Sequence, residues 1–456
     1  MGVLKKFMEP VDMTEGSPWQ KIILFAVPML VGNIAQQLYN TVDSVVVGNY
    51  VGDNALAAVG SAGPILNLLI VLFVGISVGA GIMVSQYFGA KEREKLSMTI
   101  GNCVTLTAIA TLFVMIVASM VARPLLELLD TPESIIDWCH SYLLILFIGS
   151  VGLAYYNILS GVLRGLGDSM SALLYLLVST VVNIVLDILF IGTFQWGVWS
   201  AAAATVISQA ASVVLCMAHL LRKGNIYTIE LRKIRFQRDL LIEILRYGLP
   251  SGVQNSVIAF ANVIVQSQIN SFGKLAMASY GVHAKIEGFA FLPITSFNMA
   301  STTFVSQNLG AKEYGRAKKG ARFAILSAVL LAEAIGACYY VFAPQCIGFF
   351  DSNPGVIALG VQQARTVALF YFLLAYSHSI AAICRGAGKA FAPMFIMLSI
   401  WCVLRISYIA AVMCLSGEIG YIYWAYPLTW GISSVLYFIY YLRSDWVHGF
   451  EKAAKA

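Results

Sequence analysis

Two acidic residues of this sequence stand where acids are costly. Asp43 lies inside a long apolar run, fifteen residues after Pro28, with Asn40 and Gln36 three and seven positions before it, so these side chains share one helical stripe. Asp187 lies in another apolar run, with Asn183 four and Thr180 seven positions before it. A third run adds Thr205, with Ser208 one turn on. An ionisable side chain at bilayer depth costs roughly 2.5–3.5 kcal/mol on insertion scales, which makes each such residue a functional candidate by default. Two carboxylates with amide and hydroxyl oxygens suit a hard monovalent cation. The same pair suits a shared or exchanged proton, because crowded, buried carboxylates hold a proton more readily than solvated ones. The residues leave Na⁺ and H⁺ both open.

The elements that must position these groups are membrane spans. Of the 456 residues 59% are hydrophobic and only 11% charged, with a mean hydropathy of +0.79, a balance that excludes a soluble globular domain. Apolar runs long enough for the hydrocarbon core recur at about residues 20–48, 56–86, 97–121, 136–161, 171–193, 197–221, 241–270, 278–307, 320–343, 356–383, 391–415 and 419–442. On this pattern only helices satisfy their backbone polar groups in lipid, so an all-α integral membrane protein of twelve spans is expected. The net charge of +6 comes from short clusters in alternate loops, such as Lys91, Arg93 and Lys95 or Lys312, Arg316, Lys318 and Lys319. These read as topology signals that place the basic loops and both termini in the cytoplasm, and no nucleic-acid partner is expected. The eight cysteines are scattered without a C-x-x-C pair and imply neither a metal nor a disulfide framework.

The two halves repeat each other. Pro28, Asn33 and Asn40 recur 222 positions on as Pro250, Asn255 and Asn262. Val84-Ser85-Gln86 followed by Gly89-Ala90-Lys91-Glu92 recurs 221 positions on as Val305-Ser306-Gln307 followed by Gly310-Ala311-Lys312-Glu313, and Arg164-Gly165-Leu166-Gly167 recurs as Arg385-Gly386-Ala387-Gly388. Six spans per half start both halves on the same side, which predicts two lobes related by a pseudo-twofold axis along the membrane normal. The expected organisation is a cytoplasmic N-terminal segment (1–19), an N-lobe (20–221), a cytoplasmic linker (222–239), a C-lobe (240–442) and a cytoplasmic tail (443–456).

At these motifs the sequence resembles the multidrug and toxic compound extrusion (MATE) family: twelve spans, the 6+6 repeat, a proline in spans 1 and 7, V-S-Q-x-x-G-A after spans 2 and 8, and R-G-x-G after spans 4 and 10. The resemblance implies a monomeric prokaryotic inner-membrane antiporter that exports amphipathic, cationic organic compounds in exchange for Na⁺ or H⁺, with no cofactor beyond that ion. It also implies the coupling residues. Members of the DNA-damage-inducible branch carry a span 1 Asp, an Asn-x-x-x-Asp in span 5 and a span 6 Thr, matching Asp43, Asn183, Asp187 and Thr205. Depths along the helices agree, since Asp43, Asp187 and Thr205 all fall in the outer half of their spans at 1.5 Å per residue.

By the repeat offset Asp43 falls on Val265, Asn183 on Leu404 and Asp187 on Tyr408, so coupling is expected in the N-lobe alone. Lys285 and Glu287 in span 8 are two residues apart and so on different faces. They read either as charges lining a cavity or as groups neutralised by another C-lobe residue such as Arg405. Pro28 and Pro250 each remove a backbone hydrogen bond, which marks span 1 as a candidate hinge beside Gln36, Asn40 and Asp43. Glu333 reads as an edge residue, and His219, His283 and His378 as polar packing residues. The competing reading is a flippase for a lipid-linked saccharide or peptidoglycan precursor, which needs cations inside spans 1 to 6 where this chain has acids. No H-E-x-x-H motif lies in a span, and no enzyme is expected.

Overall fold

Each of the twelve apolar runs folds as helix in a computed structural model that describes residues 10–51, 53–128, 131, 133–222 and 236–450. Spans 1 to 3 are α1 (Pro18–Val51), α2 (Asp53–Gly89) and α3 (Arg93–Leu128). Span 4 is two helices, α4 (Glu133–Ile148) and α5 (Ser150–Gly165), bent by 49° at Gly149. Spans 5 to 7 are α6 (Ser169–Asp187) with a π turn at Ile188–Thr193, α7 (Val198–Leu220) and α8 (Arg238–Asn270). Span 8 is α9 (Lys274–Ala290) and α10 (Leu292–Gly310), and span 9 is α11 (Tyr314–Gly348). Span 10 joins α12 (Pro354–Val367) to α13 (Tyr371–Gly386) through a 3₁₀ turn at Ala368–Phe370. Span 11 is α14 (Phe391–Met397), a π turn (Leu398–Leu404) and α15 (Arg405–Leu415), and span 12 is α16 (Ile419–Arg443).

Seven described stretches are long and apolar enough to cross a bilayer unaided, and the bent α4 and α5 pair makes an eighth. The rest miss that mark for physical reasons. α8 carries Gln254, Asn255, Asn262, Gln266 and Asn270, span 8 is cut at Phe291, and α16 is rich in Tyr and Trp, which favour the interface. The first half of α2 has side chains outside the described residues.

The repeated loop motifs are two copies of one backbone device. After α2, Lys91 turns left-handed at φ 58° while the Glu92 N–H reaches the Tyr87 carbonyl at 3.1 Å; after α10, Lys312 turns at φ 60° and the Glu313 N–H reaches the Asn308 carbonyl at 2.8 Å. Both are left-handed helix stops that satisfy the last free carbonyls. In R-G-x-G each glycine has its own cause. Gly167 and Gly388 adopt φ of 87° and 75°, a region that penalises a Cβ. Gly165 and Gly386 lie against neighbouring backbone, where an added Cβ would stand 2.8 Å from the Gly81 carbonyl oxygen and 2.6 Å from that of Thr302.

The described chain divides into two compact units, one of Met1–Asp12 with Val31–Gly252 and one of Met13–Leu30 with Val253–Ala456. Unit 1 thus contains α1 from Val31 onward and α8 as far as Gly252. Leu30 and Gly252, where the two helices divide, stand 222 positions apart, which is the repeat offset. Within unit 1, Gly75 and Gly79 of α2 meet Gly252 and Gly248 of α8 backbone to backbone, the close approach that small residues permit in membranes. Within unit 2, the V-S-Q motif holds the segment before α1. Gln307 Oε1 accepts from the N–H of fully buried Met13 at 3.1 Å, and the Met13 carbonyl accepts from Asn308 Nδ2 and Arg316 Nε, each at 3.1 Å. Most of the expected linker, residues 223–235, lies outside the described residues.

Gly165→Ala and Gly386→Ala are each expected to lower thermal stability in detergent by about 1–3 kcal/mol through overpacking. Gly281→Ala, whose Cβ meets open space within α9, is expected to be neutral or to gain up to about 1 kcal/mol. Unfolding midpoints that move equally for all three would remove the steric account of the motif.

Candidate functional site: an acid within each unit

In unit 1 the sequence places Asn183 and Asp187 one turn apart on α6, and both are 1% exposed. Asp187 is the last residue of α6 before the π turn, an irregularity of the kind often found at functional positions. Thr205, on α7, faces them across the helix pair. The Asn183 amide fits in two orientations. In one, Nδ2 donates to Thr205 Oγ1 at 3.4 Å. In the other, Nδ2 donates to Asp187 Oδ2 at 2.9 Å and Oδ1 accepts from the Thr205 backbone N–H at 3.2 Å. An ionised carboxylate only accepts, so the second orientation belongs to ionised Asp187. Thr180 turns its hydroxyl to the Leu176 carbonyl of its own helix at 2.9 Å, and Ser208 bonds the Thr205 carbonyl at 2.8 Å. Both are spent locally.

Asp43 and Asn40 belong to α1, and their side chains lie outside the described residues. Gln36 is half-buried, and Pro28 is buried within unit 2 in a helix that continues through it. A groove of about 580 Å³ in unit 1, lined by Ile145, Gly149, Gly152, Val206, Ala210 and Val214, is almost wholly apolar and contains none of the candidate residues.

The sequence matches the MatE family profile over residues 28–189 and 250–410, one copy in each half. The chain belongs to the MatE family. It is 29% identical over 434 residues to the probable multidrug resistance protein YoeA of Bacillus subtilis (strain 168), covering 93% of this chain and 94% of that protein. It is 28% identical over 439 residues to the probable multidrug resistance protein YpnP of the same organism, covering 96% and 98%. Among solved structures, an outward-facing multidrug resistance MATE family transporter of the MOP superfamily shares the fold with a TM-score of 0.89 at 23% identity, over 97% of this chain and 99% of that one.

This MatE chain has a second acid within unit 2, half-buried with 19% of its side chain exposed. Glu287 of α9 accepts from Tyr371 Oη at 2.9 Å and meets His283 Nε2, one turn back on the same helix, at 3.2 Å, both at Oε1. His283 Nδ1 lies 2.8 Å from Tyr339 Oη of α11. Lys285 is exposed on another face of α9. Arg405 is 1% exposed and within electrostatic reach of Glu287, but its Nη2 donates to Thr429 Oγ1 at 2.8 Å while its guanidinium lies over the Trp401 and Tyr426 rings. The immediate neighbours of Glu287 are therefore an imidazole and a phenol. The i, i+4 spacing of His283 and Glu287 was legible in the sequence; the tyrosines, 56 and 84 residues away from their partners, were not. His219, by contrast, bonds Tyr175 Oη at 2.9 Å and stands 3.3 Å from Asp168, and His378 packs edge-on against Trp401.

A double-mutant cycle with Asn183→Leu and Asp187→Leu should return a coupling energy of about 1–3 kcal/mol in thermal unfolding, because either single change strands a buried polar group that the other was satisfying. Additive effects would mean that the two side chains do not act on each other.

Proposed function

We propose that the chain is a secondary antiporter that exports amphipathic, cationic organic compounds in exchange for Na⁺ or H⁺ by alternating access. It would act as a monomer in a prokaryotic inner membrane with both termini cytoplasmic, and Asp187, Asn183, Thr205 and Asp43 would bind the coupling ion. The observation that carries the proposal is the buried Asp187 carboxylate, 2.9 Å from an amide that can reverse. With Asp187 ionised, Asn183 turns its NH₂ to the acid. With Asp187 protonated, the reversed amide offers its oxygen to the acid proton and its Nδ2 to Thr205 Oγ1. Both states use the same three residues, so a proton can come and go without backbone movement. The same oxygens, turned inward, are the hard donors that Na⁺ takes.

Register supports the inclusion of Asp43. Gly32 of α1 lies against Leu173 and Leu176 of α6 within unit 1. Spans 1 and 5 leave the same face and run parallel, and at about 1.5 Å per residue Asp43, eleven residues past Gly32, stays level with residues 184–187. The names of the relatives, multidrug resistance proteins over nearly the whole chain, support the substrate class.

Efflux of ethidium from vesicles under separately imposed Na⁺ and H⁺ gradients is expected to follow one of the two ions. Asp187→Asn and Asp43→Asn are expected to cut gradient-driven efflux at least about tenfold, the factor that about 1.4 kcal/mol of lost ion binding produces. Val265→Asp and Tyr408→Phe should leave the ion dependence in place. Efflux that ignores both gradients would falsify the coupling proposal.

A further inference from the structure

We propose that His283 and Glu287 form a proton-binding pair in unit 2, sharing one proton between imidazole and carboxylate, separate from the acid pocket of unit 1. His283 is 2% exposed, Tyr339 4% and Tyr371 fully buried, whereas the Glu287 side chain keeps 19% exposure. The carboxylate is thus the open end of the cluster and the imidazole its closed end. A proton taken up at the carboxylate passes to His283 Nε2 across the 3.2 Å contact when the neutral ring carries its own hydrogen on Nδ1 and turns the Nε2 lone pair to Glu287.

The surroundings accept either charge state. With neutral His283, Nδ1–H donates to the Tyr339 hydroxyl oxygen, and Nε2 accepts from the Glu287 carboxyl proton. With the ring protonated, Nε2–H donates to the Glu287 carboxylate, and Nδ1–H keeps the Tyr339 hydroxyl oxygen as its acceptor. Both ring nitrogens keep their partners in either state, which lowers the cost that normally opposes charging inside a membrane. The charged and titratable groups facing the pair from the packed elements are Tyr280 on α9, Tyr339 on α11, Tyr371 on α13, Arg405 on α15 and Tyr426 on α16. Arg405 opposes the added proton. Its guanidinium is held off by Thr429 and stacked between Trp401 and Tyr426, which leaves His283 as the nearer partner of the carboxylate.

The backbone is arranged for this meeting. Gly336 of α11 receives the Ala368 carbonyl of the 3₁₀ turn where a Cβ would collide with it, and this contact brings Tyr339, one turn on in α11, and Tyr371, the first residue of α13, to the same two side chains of α9. The repeat gives an independent reason to read the cluster as chemistry. By the 221-residue offset His283 and Glu287 fall on Ala62 and Leu66 of unit 1, residues of an apolar core cluster, so the fold is built at the equivalent place without either polar group.

The test is a proton count on the full-length protein in weakly buffered detergent solution, read with a pH-indicator dye on acidification from about pH 8 to about pH 5.5, the range in which imidazole titrates. His283→Gln, Glu287→Gln and the double variant are each expected to take up about one proton per chain fewer than the parent, because a shared proton is lost once. Tyr339→Phe, which removes the acceptor for Nδ1–H, should lose the same proton and serves if Glu287→Gln does not fold. Added to Asp187→Asn, the Glu287→Gln change must still remove that proton, which separates this site from the coupling site in unit 1. Single variants that bind as many protons as the parent, or a double variant that loses two, would overturn the pair.

Discussion

A carboxylate in a hydrocarbon layer has to be solvated by the protein, and in both units the nearest available solvent is the residue one turn earlier on the same helix. Asn183 serves Asp187, and His283 serves Glu287. Side chains on a helix lean toward its N-terminus, so the position four residues back lies directly under the acid. One such partner leaves lone pairs over, and a neighbouring helix must supply the rest. In unit 1 that helix is α7, with the Thr205 hydroxyl and N–H; in unit 2 they are α11 and α13, with Tyr339 and Tyr371. The helix pairs can come this close only where side chains are small or the backbone breaks. In unit 2, Gly336 of α11 against the Ala368 carbonyl of the 3₁₀ turn meets that need.

The breaks serve the same end. Asp187 ends α6 where the π turn begins, and Tyr371 opens α13 directly after the 3₁₀ turn. A break frees carbonyls that the bilayer cannot hydrate, so it survives where neighbouring helices enclose it. Gly149 and Phe370 interrupt spans 4 and 10 at equivalent repeat positions, and at Gly149 the absent side chain leaves room for Val206 of α7.

The spans, the repeat and the Asn183 to Asp187 stripe were legible because each is written in local spacing. Hydropathy marks a span whatever packs around it, and a duplicated motif needs no partner to be seen. Gly165 and Gly386 were legible as a motif, while their cause, a carbonyl on the adjacent helix, was not. His283 read as a packing residue for the same reason: one of its two partners sits at i+4, but the other comes from α11 by a route that sequence spacing does not encode. The interruptions at Phe291 and at Ala368–Phe370 depend likewise on which backbone lies opposite. Thr205 is the intermediate case, since its place opposite Asn183 was implied by family resemblance and not by any periodicity.

Duplication kept the backbone and released the side chains. Lys91 and Lys312 still turn at φ values of 58° and 60°, and Gly167 and Gly388 still turn left-handed, because every copy must stop a helix in the same way. The polar interior diverged in both directions. Unit 2 carries Val265, Leu404 and Tyr408 where unit 1 has Asp43, Asn183 and Asp187, and unit 1 carries Ala62 and Leu66 where unit 2 has His283 and Glu287. Had the second acid been a remnant of a duplicated site, it would occupy the equivalent position of the first. It lies instead on a different helix of the repeat, with its own base at i−4 and its own phenols. An ionisable group costs a membrane protein several kcal/mol wherever it is placed, and the groups that satisfy Glu287 come from its own helix and from α13, not from the elements that satisfy Asp187.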